Sequence, residues 1–294
     1  MAPPAFSSRV VRANGLSVPI LEQGEGPLLV CLHGFPDTAH TFHHQLRSFA
    51  AAGYHVVAPA MRGYAPGTIP ERGSYQSAAL AEDVLALIDA LGHERATVYG
   101  HDWGTAAAYG AALRDPGKIT RLVASAVPYG PGFPTALVTS PLQQRRSWYV
   151  FYFQTRLAEL AVPLSDFAFI EALWRDWSPG AKVDEAVLGH TKAALAEPGV
   201  LAAALAYYRT ALDPTLRDPS LDAHENRFGV DPIRVPTLYV HGERDGCIGV
   251  ETTEGMEGLF PGGFRRVILP GVGHFTHRED PAGFDRAVLD FLRG

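Results

Sequence analysis

The sequence predicts an α/β fold: a doubly wound, mostly parallel sheet with a helical segment inserted before its last strands. Three observations carry this expectation. Short continuous apolar runs, of the kind that fill strands covered on both faces, alternate with amphipathic helical patterns as far as Val127. At Pro128 the alternation stops in a proline- and glycine-rich stretch, and helix signals alone follow. Beyond Phe228 strands resume, and each ends in a loop that mixes glycine with titratable side chains.

Taken in order, Arg9 to Glu22 alternates as an edge hairpin turning at Asn14-Gly15, a pair that readily takes positive φ. Pro27 to Leu32 is a continuous apolar run, hence a buried strand. It ends at His33-Gly34-Phe35-Pro36-Asp37, where Gly34 permits an unusual backbone and leaves the Phe35 amide free to point into a cleft. As structure alone, that loop is merely a turn. Leu46 to Gly53 reads as a helix and Tyr54 to Ala58 as a strand, closing at Arg62 to Gly67. In Ser77 to Leu91 the apolar residues Leu80, Val84, Leu87, Ile88 and Leu91 recur at helical spacing between charged ones, and Gly92 ends the helix.

Ala96 to Tyr99 is a β-branched and aromatic strand, Gly104 to Ala108 a run of small, helix-compatible residues, and Ile119 to Val127 the next strand. Pro128 to Pro134 forms a hinge into the helical segment. The expected organisation is a core of residues 1–128 and 229–294 with a helical lid of residues 129–228. The lid holds much of the aromatic content, most of it expected to be packing. Val235 to Val240 and Phe264 to Leu269 supply the final strands.

Composition narrows the function. With 294 residues and 47% hydrophobic content the chain can bury a sizeable core. A net charge of -6 without a long Lys/Arg cluster makes nucleic acid and anionic membrane unexpected partners. The two cysteines, Cys31 and Cys247, sit in apolar sequence and are not spaced as a metal site or a redox pair, which favours a reducing compartment. Residues 1–15 lack an apolar leader core, and no run approaches the roughly 18 apolar residues of a membrane span. A cytoplasmic protein is expected. Its oligomeric state is open, a homodimer included.

The chemistry gathers at loops following strands, where open α/β sheets bind ligands. Between Tyr99 and Thr105 a strand runs into a helix with almost no loop, and Gly100 and Gly104 flank Asp102 two residues away on either side. This is the spacing of the α/β-hydrolase nucleophile elbow, G-x-S-x-G, with aspartate in place of serine. The helix N-terminus favours the negative charge. A carboxylate there attacks sp3 carbon and forms an alkyl ester; the plainer role for Asp102 is that of an N-cap. Asp245 follows one later strand and His274 the last, so acid and base come after the nucleophile in the chain order of this fold. Glu243 competes with Asp245 for the acid role.

The motifs His33 to Asp37, Gly100-His101-Asp102-Trp103-Gly104 and Gly271 to Phe275, with helices between, make the chain resemble the α/β-hydrolase-fold epoxide hydrolases over essentially its whole length. Within the helical segment, Ser147 to Gln154 and Tyr207-Tyr208-Arg209 are similar to the segments that carry the family's two epoxide-polarising tyrosines, which implies Tyr149 and Tyr208. One departure stands out. The usual P-D-x-R-G is Pro59-Ala60-Met61-Arg62-Gly63 here, a change expected to affect local packing and leave the chemistry in place.

The resemblance implies hydration of a small-molecule epoxide to a vicinal diol. Asp102 forms the ester, Tyr149 and Tyr208 give the proton, and His274, oriented by Asp245, activates water. The amides of Phe35 and Trp103 hold the oxyanion. No metal or organic cofactor is required. The elbow is shared with haloalkane dehalogenases, in which Trp103 would donate to halide, but Phe35 stands where many of those enzymes place Asn. A non-catalytic binding protein on the same core is a third reading, against which the complete set of reactive residues argues.

Overall fold

In a computed structural model the described residues are 6–71 and 73–294. Residues 1–5, part of the stretch expected to lack an apolar leader core, lie outside them. Eight strands form one sheet: β1 (Ser7–Ala13), β2 (Leu16–Gln23), β3 (Leu28–Leu32), β4 (His55–Pro59), β5 (Ala96–His101), β6 (Ile119–Ser125), β7 (Thr237–Gly242) and β8 (Phe264–Leu269). Their order is β1-β2-β4-β3-β5-β6-β7-β8. All pairings from β4 through β8 are parallel, and the β1–β2 hairpin is added antiparallel at one edge. The hairpin turns where expected, with Ala13 opposite Leu16 and both Asn14 and Gly15 at positive φ.

Burial explains the sequence pattern. Every residue of β3, β5 and β7 is buried, because helices cover both faces of the sheet there. On one face lie α1 (His43–Ala51) and, later in the chain, the C-terminal helix Pro281–Arg293; on the other lie α2 (Ser77–Ala90) and α3 (Trp103–Arg114). Gly110 lies so close to α2 that an added Cβ would stand 3.0 Å from Ala81 and the Ser77 carbonyl, which accounts for the run of small residues in α3. Helix α1 begins three residues earlier than the apolar pattern suggests, continuing from a 3-10 turn over Ala39–Phe42 whose entry is capped by Thr38.

Every helix or strand between β6 and β7 is helical. The α-helices are α4 (Gly132–Thr139), α5 (Pro141–Arg146), α6 (Trp148–Tyr152), α7 (Leu157–Ala161), α8 (Leu164–Trp177), α9 (Glu185–Ala196), α10 (Val200–Leu212) and α11 (Asp222–Glu225). Helix α4 starts inside the stretch read as a hinge, since Pro134 falls in its first turn, where a missing N–H costs no bond. Aromatic packing in this segment is uneven. Phe153 and Trp177 are buried, whereas Trp148 and Phe151 are exposed.

The Pro59–Gly63 departure has a structural answer. Without a carboxylate at Ala60, the nearly buried Arg62 guanidinium forms a two-pronged pair with Asp83 of α2, both N···O distances being 2.6 Å. Asp83 also accepts from Asn14 of the hairpin turn at 2.7 Å. The same loop places the Met61 amide 3.1 Å from His33 Nε2 and offers the Arg62 carbonyl to the Tyr207 hydroxyl. One carboxylate on α2 therefore ties the edge hairpin to the loop beneath the helical segment. Asp83→Asn should lower the unfolding free energy by about 2 kcal/mol, the worth of a charged hydrogen bond at a partly buried site. Urea unfolding checks it, and an unchanged midpoint would refute the linkage.

Candidate active site

Asp102 occupies the turn between β5 and α3 at φ 53 and ψ -123, a conformation that costs a non-glycine residue backbone strain. Glycines on either side allow it. A Cβ on Gly100 would collide with the Gly104 backbone, one on Gly104 with the Leu32 and His33 carbonyls, and one on Gly34 with the Asp102 carboxylate and the Trp103 amide. Thr105 Oγ1 donates to the Gly100 and Ser125 carbonyls at 2.6 and 2.8 Å as alternative partners, clamping the elbow to β6. Although Asp102 stands at the N-cap position, its side chain makes no capping bond.

The carboxylate instead has two differentiated oxygens. Oδ1 accepts the Phe35 N–H at 2.8 Å, and both this oxygen and the Trp103 amide nitrogen lie against Gly34. Oδ2 stands 3.6 Å from His274 Nε2. The backbone of the Gly34 loop thus presents an amide to the carboxylate, while the Phe35 ring packs away from it against Phe153 and Tyr208 at 5.3 and 5.4 Å.

His274 is fully buried, and its Nδ1 lies 2.9 Å from Asp245 Oδ2. Asp245 Oδ1 accepts the amides of Cys247 and Ile248 at 2.7 and 2.9 Å, so an Asx-type turn orients the carboxylate. Glu243 faces elsewhere and accepts from the Gly271 amide at 2.8 Å. Burial opposes ionisation of both partners, but each charge stabilises the other. The pKa of Asp245 is therefore lowered, and that of His274 is raised well above its ordinary value.

Tyr149 and Tyr208 meet over this pair, their rings 5.7 Å apart at 88°. Burial and the nearby Asp102 charge push both phenols well above the usual tyrosine value, so both are neutral O–H groups. Tyr149 Oη lies 3.1 Å from Cys247 Sγ. The buried Tyr208 hydroxyl and Trp103 Nε1 have no partner. Tyr207, one residue earlier, also lines the cavity beside Asp102, but its hydroxyl is engaged in donating to Arg62 O at 2.7 Å. A cavity of about 530 Å³ opens from Asp102 and the two tyrosines between Phe133, Leu137 and Ile248. A second cavity of about 560 Å³, behind Phe275 and Arg278, does not reach Asp102.

Several residues of the site escape sequence reasoning. The Trp177 carbonyl at the end of α8 accepts from the His274 and Gly246 amides at 3.1 and 3.0 Å, and a backbone acceptor has no sequence signature. Gln143 of α5 is buried and joins Ser147, the Cys247 carbonyl and the Gly249 amide at 2.8 to 3.0 Å. Cys247 refines an expectation. It is buried within the hydrophobic core, as expected, but its thiol also meets Tyr149 Oη at 3.1 Å and lies within 4.8 Å of donor atoms of Asp245 and His274, because the Asp245 turn reverses the chain there. Among the described residues, Asp245, Cys247 and His274 are the one group of donors close enough for a metal ion, yet the His274–Asp245 pair is already engaged in its own hydrogen bond.

Residues 27–281 match the model of the alpha/beta hydrolase fold family. The chain is 30% identical to Epoxide hydrolase 3 of Xenopus tropicalis, over 91% of this chain and 71% of that one. It is 28% identical to Epoxide hydrolase A of Mycobacterium tuberculosis, over 99% and 98%. A solved putative epoxide hydrolase from Klebsiella pneumoniae superposes with a TM-score of 0.89 at 27% identity, covering 100% of both chains. An inhibitor complex of the Bacillus megaterium epoxide hydrolase gives 0.82 at 25%, covering 97% of this chain and 100% of that one.

The buried histidines around the site set its acid stability. Burial holds His33 at about 4 and His101 at about 3, and keeps His277 well below its ordinary value. Below the unfolded value of about 6.5, unfolding therefore takes up protons that the folded protein excludes, and stability falls as pH falls. His274 has the opposite sign, contributing stability that is lost as pH rises through its raised folded value. Unfolding free energy measured by denaturant titration should drop steadily from pH 6.5 towards 4. A flat profile across that interval would contradict the neutral, buried state of His33 and His101.

Proposed function

Since the chain belongs to the α/β-hydrolase-fold epoxide hydrolases, we propose that it converts a small-molecule epoxide into a vicinal diol through an alkyl ester on Asp102. The observation that carries this reading is an anion and two neutral acids lining one apolar cavity: the Asp102 carboxylate with the Tyr149 and Tyr208 hydroxyls. An epoxide opens when its carbon is attacked from one face and its oxygen is protonated from the other. Asp102 Oδ2, free of the Phe35 amide, attacks carbon; the C–O bond breaks, and the oxygen takes a tyrosine proton. Residues 129–228 serve as the lid that brings the tyrosines to residues 1–128 and 229–294.

In the second step Oδ1 is the ester carbonyl oxygen, and the amides of Phe35 and Trp103 stabilise its developing charge. His274 removes a proton from water, which attacks the Asp102 carbonyl carbon. The carboxylates raise the His274 pKa, and esterification of Asp102 removes one of them when the imidazole must be neutral. As the intermediate collapses, the C–O bond to the diol breaks, the leaving oxygen takes the remaining proton of the added water, and the Asp102 carboxylate is restored. No step draws on a metal or organic cofactor. The buried, free Cys31 and Cys247 support a reducing, cytoplasmic setting, and the net charge of -6 supports a small-molecule partner in preference to nucleic acid. No described helix is long and apolar enough to cross a membrane.

The test separates the steps. His274→Gln should retain alkylation and leave the protein heavier by one substrate on the peptide containing Asp102, while Asp102→Ala should give no adduct. One wild-type turnover in heavy-oxygen water should label the Asp102 carboxylate; label only in the diol would mean that water attacks the epoxide directly. Tyr149→Phe and Tyr208→Phe should each slow ring opening on the order of 10²-fold, and the double variant should nearly abolish it. Full activity in all three would remove the tyrosines from the scheme. A panel of aryl and alkyl epoxides run beside haloalkanes distinguishes diol from halide release, and binding without turnover of either would identify a carrier.

A further inference from the structure

The cycle above displaces one proton. Ring opening takes it from a tyrosine and leaves a phenolate in an apolar cavity, whereas water activation loads a proton onto His274. Before the next epoxide can be opened by the same acid, one proton must pass from His274 to the tyrosines. This need rests on the roles given to Asp102, His274 and Tyr149, and it holds whether His274 rests neutral or charged.

One group stands between donor and acceptor. Cys247 Sγ is 3.1 Å from Tyr149 Oη and within 4.8 Å of a His274 ring nitrogen. His274 Nε2, fully buried, has Asp102 Oδ2 at 3.6 Å and makes no shorter hydrogen bond, and esterification of Asp102 removes that anion. The cysteine is held from both sides: its amide donates to Asp245 Oδ1 at 2.7 Å, and its carbonyl accepts from Gln143 Nε2 at 2.8 Å. Tyr208 lacks an equivalent neighbour, its hydroxyl being unpartnered.

We propose that the Cys247 thiol is the positioning residue that returns the proton from His274 to Tyr149. The S–H bond breaks as an O–H bond forms on the Tyr149 phenolate, and in the same event the His274 N–H bond breaks as S–H re-forms. Cys247 is unchanged over the cycle, and no oxidant or reductant is consumed. Burial pushes the thiol upward against the pull of His274, so it keeps the proton it must donate. The two tyrosines thereby differ: Tyr149 is the acid that is reset, and Tyr208 polarises the epoxide oxygen.

Stopped-flow tyrosinate absorbance and quenched-flow mass spectrometry of the Asp102 adduct test this with wild type, Cys247→Val and Cys247→Ser. In wild type the tyrosinate signal should decay with a curved proton inventory, two protons being in flight. Cys247→Val should slow turnovers after the first on the order of 10²-fold, with tyrosinate persisting after the burst. Cys247→Ser, which keeps a donor, should restore most of that loss. Wild-type turnover and tyrosinate decay in Cys247→Val, or a linear inventory in wild type, would overturn the relay while adduct formation left Asp102 in place. Absence of any Asp102 adduct in wild type and His274→Gln alike would overturn both.

Discussion

Everything at the site depends on a backbone that crosses close to itself. Asp102 holds a positive φ because β5, the first turn of α3 and the Leu32–Gly34 backbone pass within van der Waals contact, and Gly34, Gly100 and Gly104 leave no Cβ in the way. The strain at one residue is repaid by its surroundings: the Thr105 hydroxyl on the Gly100 and Ser125 carbonyls, and the Phe35 amide on the carboxylate. Open any of those glycine contacts and the carboxylate no longer meets the amide that distinguishes its two oxygens.

From that point the electrostatics follow as one chain of paired groups. Asp102, His274 and Asp245 are almost wholly excluded from water, a costly arrangement for three titratable groups unless each has a partner. Asp245 has three, counting the amides of Cys247 and Ile248. Around them, His33, His101 and His277 are kept neutral by burial, so the positive charge at the centre is confined to His274.

The helical segment is fastened to the sheet at the same place where its tyrosines face Asp102. The Trp177 carbonyl binds the amides of His274 and Gly246, Gln143 binds both sides of the Cys247–Gly249 turn, and Tyr207 reaches the Arg62 carbonyl. These contacts join α5 and α8 to the loops that carry Asp245 and His274, and α10 to the loop after β4. The geometry between Tyr149, Tyr208 and Asp102 is thus set by buried hydrogen bonds, which tolerate little displacement.

By itself the sequence determined the order and type of the elements, because burial on both faces of a parallel sheet demands continuous apolar runs, and the tight elbow demands glycine on either side of Asp102. The positions of Asp245 and His274 after strands were legible for the same reason: strand ends can be read from pattern. Only the tertiary structure decided which carboxylate meets His274, since Glu243 and Asp245 are two residues apart on one loop and the reversal at Asp245 turns them to different partners. It likewise decided that of Tyr207 and Tyr208, adjacent on α10 and both lining the cavity, the first donates its hydroxyl to the Arg62 carbonyl and the second does not engage its own. It alone brought Cys247 beside Tyr149 from 98 residues away in the chain. A strand or an elbow is encoded by neighbours a few residues apart. A thiol meeting a phenol across two layers is the outcome of all the packing between them.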